Sequence, residues 1–190
     1  DSRIGKRFLF PGIGYGGSCF PKDVKALQKA GKDENYDFKI LDAVIDVNER
    51  QKTILLPRIK SHFGGNIKGM KFAIWGLAFK PETDDVREAP SIYMMKGLLE
   101  QGASLTVFDP EAMENIEKQF GNSLEYANSM YEAIEGVDAL IICTEWSIFR
   151  TPNLEKLKAS LNNAVVFDGR NLYDTAEMKQ EGFTYISIGR

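Results

Sequence analysis

The sequence predicts an α/β fold in which a helical central segment precedes a three-layer domain built on a mostly parallel sheet. Residues before Ile67 carry apolar positions at helical spacing. Residues after it alternate between short, nearly continuous apolar runs and amphipathic segments. Alternation of this second kind puts parallel strands in the middle and helices on both faces. We therefore predict two domains, residues 1–66 and residues 67–190, the second of them Rossmann-like.

Two helices are predicted in the first domain. The first begins near Pro21, which suits an opening helical turn, and ends at Gly31. The second covers "FKILDAVIDVNERQKTILLPRIKSHF" as one long helix, with Pro57 late in it. Apolar residues on more than one side are typical of a helix packed between two bodies, either two domains or two copies of the chain.

The second domain follows a glycine-rich boundary at residues 64–69. Its predicted elements alternate in order, and the last of them is an edge strand: "KFAIWGLAF", "APSIYMMKGLLEQG", "SLTVFDP", "SMYEAIEGV", "DALIICT", "NLEKLKASL", "AVVFDGR" and "FTYISIG". Such folds bind ligands at the carboxyl ends of their strands, where the strand order reverses.

Composition excludes several classes of partner. The 190 residues have a net charge of −3, with 43% hydrophobic residues and a pI near 5.4, so the chain has no general attraction for nucleic acid. No apolar run is long enough to span a membrane, and residues 1–20 lack a signal-peptide pattern. A cytoplasmic location is predicted. Cys19 and Cys143 lie in different contexts, and neither a disulfide nor a metal site is predicted.

The segment "GIGYGGSCFPKD" is the best candidate for chemistry. Its glycines permit unusual dihedral angles and close approach of the backbone to a ligand. A helix that begins at Pro21 places Cys19 at its positive end, beside Lys22, where the thiolate form is favoured. Asp23, one turn further on, is placed to assist water or a proton. From the residues alone, a small buried thiol in an ordinary turn is the commoner explanation of such a segment.

Basic residues follow two of the predicted strands. Lys80 and Arg170 are at strand ends and Arg87 is in the loop after the first strand, so the three suit a phosphorylated ligand. The first loop reads "GLAFKP", which is not the G-x-G-x-x-G of a dinucleotide site. By itself, Arg87 also fits a solvated run of charges.

Four ordered blocks resemble the UDP-glucose/GDP-mannose dehydrogenase family of nucleotide-sugar dehydrogenases. They are "RIGKRFLFPGIGYGGSCFPKDVKAL", "VNERQK", "GLAFKPETDDVREAPS" and "VVFDGR". The resemblance spans essentially the whole chain. It implies an NAD-dependent enzyme that oxidises the C6 alcohol of UDP-glucose twice to UDP-glucuronate, and a homodimer formed through the long helix.

The resemblance also implies roles for individual residues. Cys19 would carry a thiohemiacetal and then a thioester, which water assisted by Asp23 would hydrolyse. Lys22 and Arg87 would lie near NAD. Residues implied to contact the sugar nucleotide are Arg3 (reaching the neighbouring subunit), Phe10, Pro11, Gly12, Ile13, Gly14, Tyr15, Gly16, Phe79, Lys80 and Arg170.

The family's NAD-binding domain, which carries a G-x-G-x-x-G after its first strand, precedes the matching segment and is not among these residues. We therefore expect the 190 residues alone to lack turnover. The sequence leaves open a GDP-mannose or UDP-N-acetylhexosamine dehydrogenase, and also a non-enzymatic, nucleotide-binding regulatory module.

Overall fold

One parallel sheet organises the chain. The computed structural model describes Gly5 and residues 9–190. Within them, six strands lie in the order β3-β2-β1-β4-β5-β6, and every neighbouring pair is parallel. The strands are β1 (Lys71–Trp75), β2 (Ser104–Phe108), β3 (Glu125–Tyr126), β4 (Ala139–Ile142), β5 (Val165–Asp168) and β6 (Thr184–Ser187). The predicted Rossmann-like fold, including the last edge strand, is confirmed.

Helices alternate with these strands after a helical start. They are α1 (Phe20–Asp33), α2 (Lys39–Gln51), α3 (Leu55–His62), α4 (Pro90–Glu100), α5 (Met113–Phe120), α6 (Met130–Ala133), α7 (Leu154–Ser160) and α8 (Thr175–Gln180). Three of the later helices begin at a residue whose side chain accepts a first-turn N–H, namely Ser129, Asn153 and Asp174. The sequence analysis did not predict α5, β3 or α8.

The prediction of a single long helix is wrong, because the structure has two helices, α2 and α3, in that segment. Residues 52–54 form a turn between α2 and α3. There the Ile54 N–H donates to the Gln51 carbonyl at 3.2 Å, one residue short of the α-helical partner. Pro57 has no N–H to donate to the Thr53 carbonyl, so a regular α-helical ladder cannot pass through this point.

The sheet buries both faces, as the near-continuous apolar strands predict. Alternate residues of β1 point to opposite sides. Phe72 and Ile74 join a core with α3 and α4, whereas Ala73 and Trp75 join a core with α6, α7 and α8. The first core also takes in Ile13, from well before the sheet.

The division into residues 1–66 and 67–190 stays a prediction. Ile13, Leu55 and Ile59 belong to the same apolar core as Ile74 and Phe167, so the two segments are packed together. No helix among the described residues is long and apolar enough to cross a membrane. The cytoplasmic location also stays a prediction.

Candidate active site

The carboxyl edge of the sheet is crossed by residues 12–17, which we call the glycine loop. The strand order reverses between β1 and β4, so a ligand of this fold would approach at that point. Ile13 of the loop is fully buried and packs against Gly169, the residue that follows β5. The loop is thereby held at the sheet edge where a ligand is expected.

Glycines allow this loop to pass close to the chain itself. A Cβ at Gly16 would overlap the Glu88 carbonyl, and one at Gly17 would lie 2.8 Å from the Phe79 ring. Gly17 has a φ of 91° and donates its N–H to the Arg87 carbonyl at 2.8 Å. These glycines therefore make room for the loop between β1 and α4, while contact with a ligand stays a prediction.

Helix α2 holds the other side of the glycine loop. Asn48, which is buried, accepts the Tyr15 N–H at 2.8 Å and donates its Nδ2 to the Tyr15 carbonyl at 3.1 Å. Gln51 Nε2 donates to the Gly12 carbonyl at 2.6 Å. Three side-chain hydrogen bonds thus fix the backbone of the loop from one helix face.

Cys19 lies directly before the first helical residue of α1. It is exposed, and its carbonyl accepts the Asp23 N–H at 2.8 Å, which closes the first helical turn. Pro21 occupies that turn, as predicted. The helix dipole is positive at this end. The Ser18 hydroxyl is 3.6 Å from the sulfur.

Lys22 and Asp23 flank the thiol on the solvent side. Lys22 Nζ is 3.7 Å from Asp23 Oδ1, and both side chains are largely exposed. An exposed pair at this distance contributes little to stability. Both side chains are therefore accessible to solvent, and their part in catalysis stays a prediction.

Cys143 is buried, whereas Cys19 is exposed. It follows β4, its N–H donates to the Trp75 carbonyl at 2.9 Å, and burial raises the pKa of its thiol to about 12. A neutral, enclosed thiol is chemically inert. This agrees with the sequence interpretation of Cys143 as a core residue.

Arg170 reaches from the end of β5 to the glycine loop. Its Nη2 donates to Glu145 Oε1 at 2.7 Å, and its guanidinium contacts Gly12, where a Cβ would overlap Nη1. Its Nε is buried and has no hydrogen-bond partner among the described residues. Because a buried guanidinium N–H ordinarily finds an acceptor, this group has unused capacity for an anion.

The side chain of Asp168 holds the backbone of Arg170 in place. This buried carboxylate accepts the Arg170 N–H at 2.7 Å, the Leu172 N–H at 2.7 Å and the Tyr185 hydroxyl at 2.7 Å. Burial raises the pKa of Asp168, although these hydrogen bonds oppose the rise. The turn that carries Arg170 is thereby fixed.

The loop between β1 and α4 supplies three predicted contacts. The Phe79 ring lies against the glycine loop, and Lys80 Nζ is 5.3 Å from the centroid of that ring. Arg87 is exposed, and its Nε and Nη2 each donate to an Asp85 oxygen, at 2.9 and 2.8 Å. Hydrogen bonds from Asp85 raise the pKa of Arg87, and the nearby Cys19 adds a smaller contribution in the same direction. Cys19 and Arg87 are thus electrostatic neighbours.

The remaining predicted contacts lie at the start of the described chain. Phe10 and Pro11 are exposed ahead of the glycine loop, and Gly14 has a φ of 97° beside Asn48. Arg3 lies outside the described residues.

A dinucleotide does not fit the usual place in this fold. The pyrophosphate site of a Rossmann domain uses backbone N–H groups of the turn after the first strand. Here Asp109 Oδ2 accepts the Leu77 N–H at 2.6 Å and the Ala78 N–H at 3.2 Å, together with Trp146 Nε1 at 3.0 Å. A buried carboxylate of the protein therefore accepts backbone N–H groups of the turn that a Rossmann pyrophosphate site would use.

The carbonyls of the same two residues are also satisfied. Ser91 Oγ donates to the Leu77 carbonyl at 2.5 Å, and Thr144 Oγ1 donates to the Ala78 carbonyl at 2.6 Å. Both partners are buried. The backbone that carries Phe79 is consequently fixed by side chains from α4 and from the loops after β2 and β4.

Several of these residues were not singled out by the sequence analysis. Five residues connect the loops to one another without having been predicted to do so: Asn48, Lys52, Glu88, Asp109 and Glu145. The sequence showed only that Asp109 and Glu145 lie at strand ends. Their partners lie far away along the chain. No cluster of metal ligands occurs in the described part of the chain.

Comparison with known proteins places this geometry in a family. Residues 73–175 match the UDP-binding domain of the UDP-glucose/GDP-mannose dehydrogenase family, and residues 1–50 match the central domain of that family. The chain belongs to this family. The family-level resemblance drawn from the four sequence blocks is thus confirmed.

Individual relatives agree. The whole chain aligns with the UDP-glucose 6-dehydrogenase of Pseudomonas aeruginosa at 44% identity. It aligns with the UDP-glucose 6-dehydrogenase TuaD of Bacillus subtilis at 42% identity. It covers 43% and 41% of those proteins, respectively. The solved structure of a UDP-glucose dehydrogenase from Pyrobaculum islandicum superposes with a TM-score of 0.83 at 34% identity, over 98% of this chain and 40% of that one. The chain therefore spans about two-fifths of the length of these family members.

Proposed function

We propose that this chain carries the cysteine and the UDP-sugar contacts of an NAD-dependent dehydrogenase that oxidises C6 of UDP-glucose twice to UDP-glucuronate. One observation carries the proposal. An exposed thiol stands at a helix N-terminus, beside a glycine loop that runs between Arg87 and Arg170 at the carboxyl edge of a Rossmann-like sheet. Family membership and relatives that act on UDP-glucose support the same substrate.

Arg170 is the proposed diphosphate or sugar contact. Glu145 orients the guanidinium of Arg170, and its Nε, which has no partner in the described part of the chain, can donate to one more anionic group. Phe79 and Lys80 lie on the other side of the glycine loop and offer an apolar ring and a cation. The proposed ligand lies along residues 10–16, between these two groups.

Cys19 is the proposed nucleophile. Its sulfur would bond to C6 at the aldehyde stage to give a thiohemiacetal, whose loss of hydride gives a thioester. Water attacks that thioester, the C–S bond breaks, and the proton passes through Asp23 to regenerate the thiol and the carboxylic acid. Two NAD molecules, when bound, accept one hydride each.

The NAD contact proposed for Lys22 and Arg87 is a secondary one. Asp109 accepts backbone N–H groups that a Rossmann pyrophosphate site would use, so the described residues do not provide a principal dinucleotide site. Lys22 and Arg87 are exposed cations on the Cys19 side of the glycine loop. Their charge suits an anionic cofactor held mainly by other parts of the full-length protein.

Changing Arg170 to alanine tests the substrate assignment. Loss of a charge-assisted contact in a partly buried site costs about 2–3 kcal/mol, so we expect UDP to bind the full-length protein roughly 30- to 150-fold more weakly. Isothermal titration with UDP measures this change. Arg150→Ala, at an exposed position on the same domain, is the matched control.

The titration and an oxidation assay also separate the alternatives. If the protein oxidises GDP-mannose or a UDP-N-acetylhexosamine faster than UDP-glucose, that nucleotide sugar becomes the proposed substrate. Tight UDP binding with no oxidation of any of the three would favour a regulatory module. Equal UDP affinity of the parent protein and Arg170→Ala would remove Arg170 from the site.

We also propose that α2 forms a homodimer contact. Ile40, Val44 and Val47 make an exposed apolar stripe on this helix, with exposed fractions of 78%, 37% and 54%. They line a groove of about 510 Å³ together with Tyr15 and Ala43. An apolar stripe of this size on a helix is typical of an interface between copies of a chain.

Val44→Glu is expected to weaken that dimer. A charge placed in the stripe would have to be desolvated without a partner, which costs several kcal/mol across the two copies. Analytical ultracentrifugation of the full-length protein should then show a monomer at concentrations where the parent is dimeric. Asp46→Asn, on the same helix and also exposed, serves as the control and should leave the sedimentation unchanged.

A further inference from the structure

Lys52 is a fully buried cation at the turn between α2 and α3. Its Nζ is 2.8 Å from Glu88 Oε2 and 3.0 Å from Glu49 Oε1, and it lies 4.1 Å from the centroid of the Tyr93 ring. The Tyr93 hydroxyl donates to the same Glu88 oxygen at 2.7 Å. Two carboxylates and one aromatic face thus surround a single ammonium group.

The charge is retained in this enclosed position. Burial alone would lower the pKa of Lys52, but the hydrogen bonds to Glu88 and Glu49 reverse the effect and raise it. The same contact lowers the pKa of Glu88. A raised lysine pKa and a lowered carboxyl pKa both stabilise the ion pair throughout the neutral range.

Glu88 adopts an unusual backbone conformation to make this contact. Its φ is 53°, in the left-handed region that a residue with a Cβ enters at a cost of roughly 1 kcal/mol. Its backbone faces Gly16, and the preceding residue, Arg87, accepts the Gly17 N–H. The side chain of Glu88 therefore anchors the backbone against which the glycine loop rests.

Lys52 contacts the glycine loop from the opposite side. A Cβ at Gly14 would lie 3.3 Å from Lys52 Cγ and 2.9 Å from Asn48 Oδ1. The Lys52 stem and Asn48 form the α2 side of the loop, and Glu88 forms its β1–α4 side. The ion pair joins the two sides across the loop.

An apolar residue of similar size would serve stability at least as well, because a buried ion pair recovers little beyond its desolvation cost. Specification of one geometry is the better-attested role of such pairs. We propose that the Lys52–Glu88 pair is a positioning element that clamps the glycine loop between α2 and the β1–α4 loop and so fixes Cys19 relative to Arg87. Its consequence for catalysis rests on the proposed function, but the clamp itself does not.

Hydrogen exchange of the full-length protein tests the clamp. The Tyr15 and Gly17 amides, which donate to Asn48 and Arg87, report on the two sides of the loop. We expect both amides to exchange at least tenfold faster in Lys52→Met and in Glu88→Gln, whereas the amide of Ile141 in the central strand β4 keeps its parental rate. Lys52→Arg preserves the charge and should restore at least part of the protection.

Two controls separate positioning from general stability. Asp46→Asn removes an exposed ion pair with Arg50 on the same helix and should alter neither loop amide. If Lys52→Met fails to fold, Glu88→Gln, whose side chain is more exposed, supplies the comparison. Unchanged exchange at Tyr15 and Gly17, or an equal increase at Ile141, would overturn the proposal.

Steady-state kinetics give the functional reading. If Cys19 is displaced, kcat for UDP-glucose oxidation should fall at least tenfold in Glu88→Gln, whereas the dissociation constant of UDP stays within threefold of the parental value. A fall in UDP affinity with an unchanged kcat would contradict a role at the thiol. If the parent protein does not oxidise UDP-glucose, the proposed function fails, and the exchange result still decides the clamp.

Discussion

Serine in place of Cys19 is expected to lower NADH formation from UDP-glucose by at least about a thousandfold in the full-length protein. A serine hydroxyl is almost entirely protonated at neutral pH, and the described residues provide no base positioned as in a serine hydrolase. The thioester route would therefore be closed. Steady-state absorbance of NADH gives the rate, and UDP titration checks that the substrate still binds.

Cys143→Ala is the matched control for this experiment. Cys143 is buried, and burial raises the pKa of its thiol to about 12, so its removal should leave the turnover rate within a few-fold of the parental rate. Alkylation by iodoacetamide followed by mass spectrometry should label Cys19 and leave Cys143 unmodified in the folded protein. Retention of more than a tenth of the activity in Cys19→Ser would exclude Cys19 as the nucleophile.

Asp109→Ala is expected to produce the largest loss of stability. The carboxylate accepts five hydrogen bonds, three at Oδ2 and two at Oδ1 from the Glu111 and Ala112 N–H groups. Removing it leaves several buried donors without an acceptor, and each costs about 1–3 kcal/mol. A total of about 3–5 kcal/mol, partly relieved by entry of water, is a large share of the stability of a domain.

Equilibrium unfolding in urea measures this loss as a lower midpoint with an unchanged slope. Glu111→Ala is the control, because Glu111 contributes only its backbone N–H to Asp109 and its side chain is exposed. It should change the free energy of unfolding by less than about 0.5 kcal/mol. A loss below about 1 kcal/mol in Asp109→Ala would mean that water replaces the carboxylate, and the account of a rigid strand edge would be wrong.

The sheet was predictable from sequence because its signal is local. Runs such as "AIW", "LII" and "VVF" are apolar over their whole length, and burial on both faces of a parallel sheet requires that pattern. Strand β3 has only two residues, and its burial pattern carries no such run. The break after α2 was also missed, because Pro57 marked a weak point without fixing where the turn would fall.

The candidate site likewise has features that local sequence predicts and features that depend on the tertiary fold. The start of a helix at Pro21 could be predicted, and with it the place of Cys19, because both features lie within a few residues. A buried Lys52 could not be predicted, because its burial depends on Glu88, which is brought close only by the tertiary fold. The same holds for Asp109, whose partners Leu77 and Trp146 come from two other loops.

The packing of Ile13 against Gly169 has a consequence for how the protein is made. The ribosome releases residue 13 early and residue 169 late. Ile13 of the glycine loop therefore cannot pack against Gly169 until β5 has emerged and joined β4. Until then the nascent chain exposes Cys19 without its surroundings. The surroundings of that thiol are therefore complete only when the last strands have assembled, and a chain that stops before β5 would carry Cys19 on a loop that Gly169 does not hold in place.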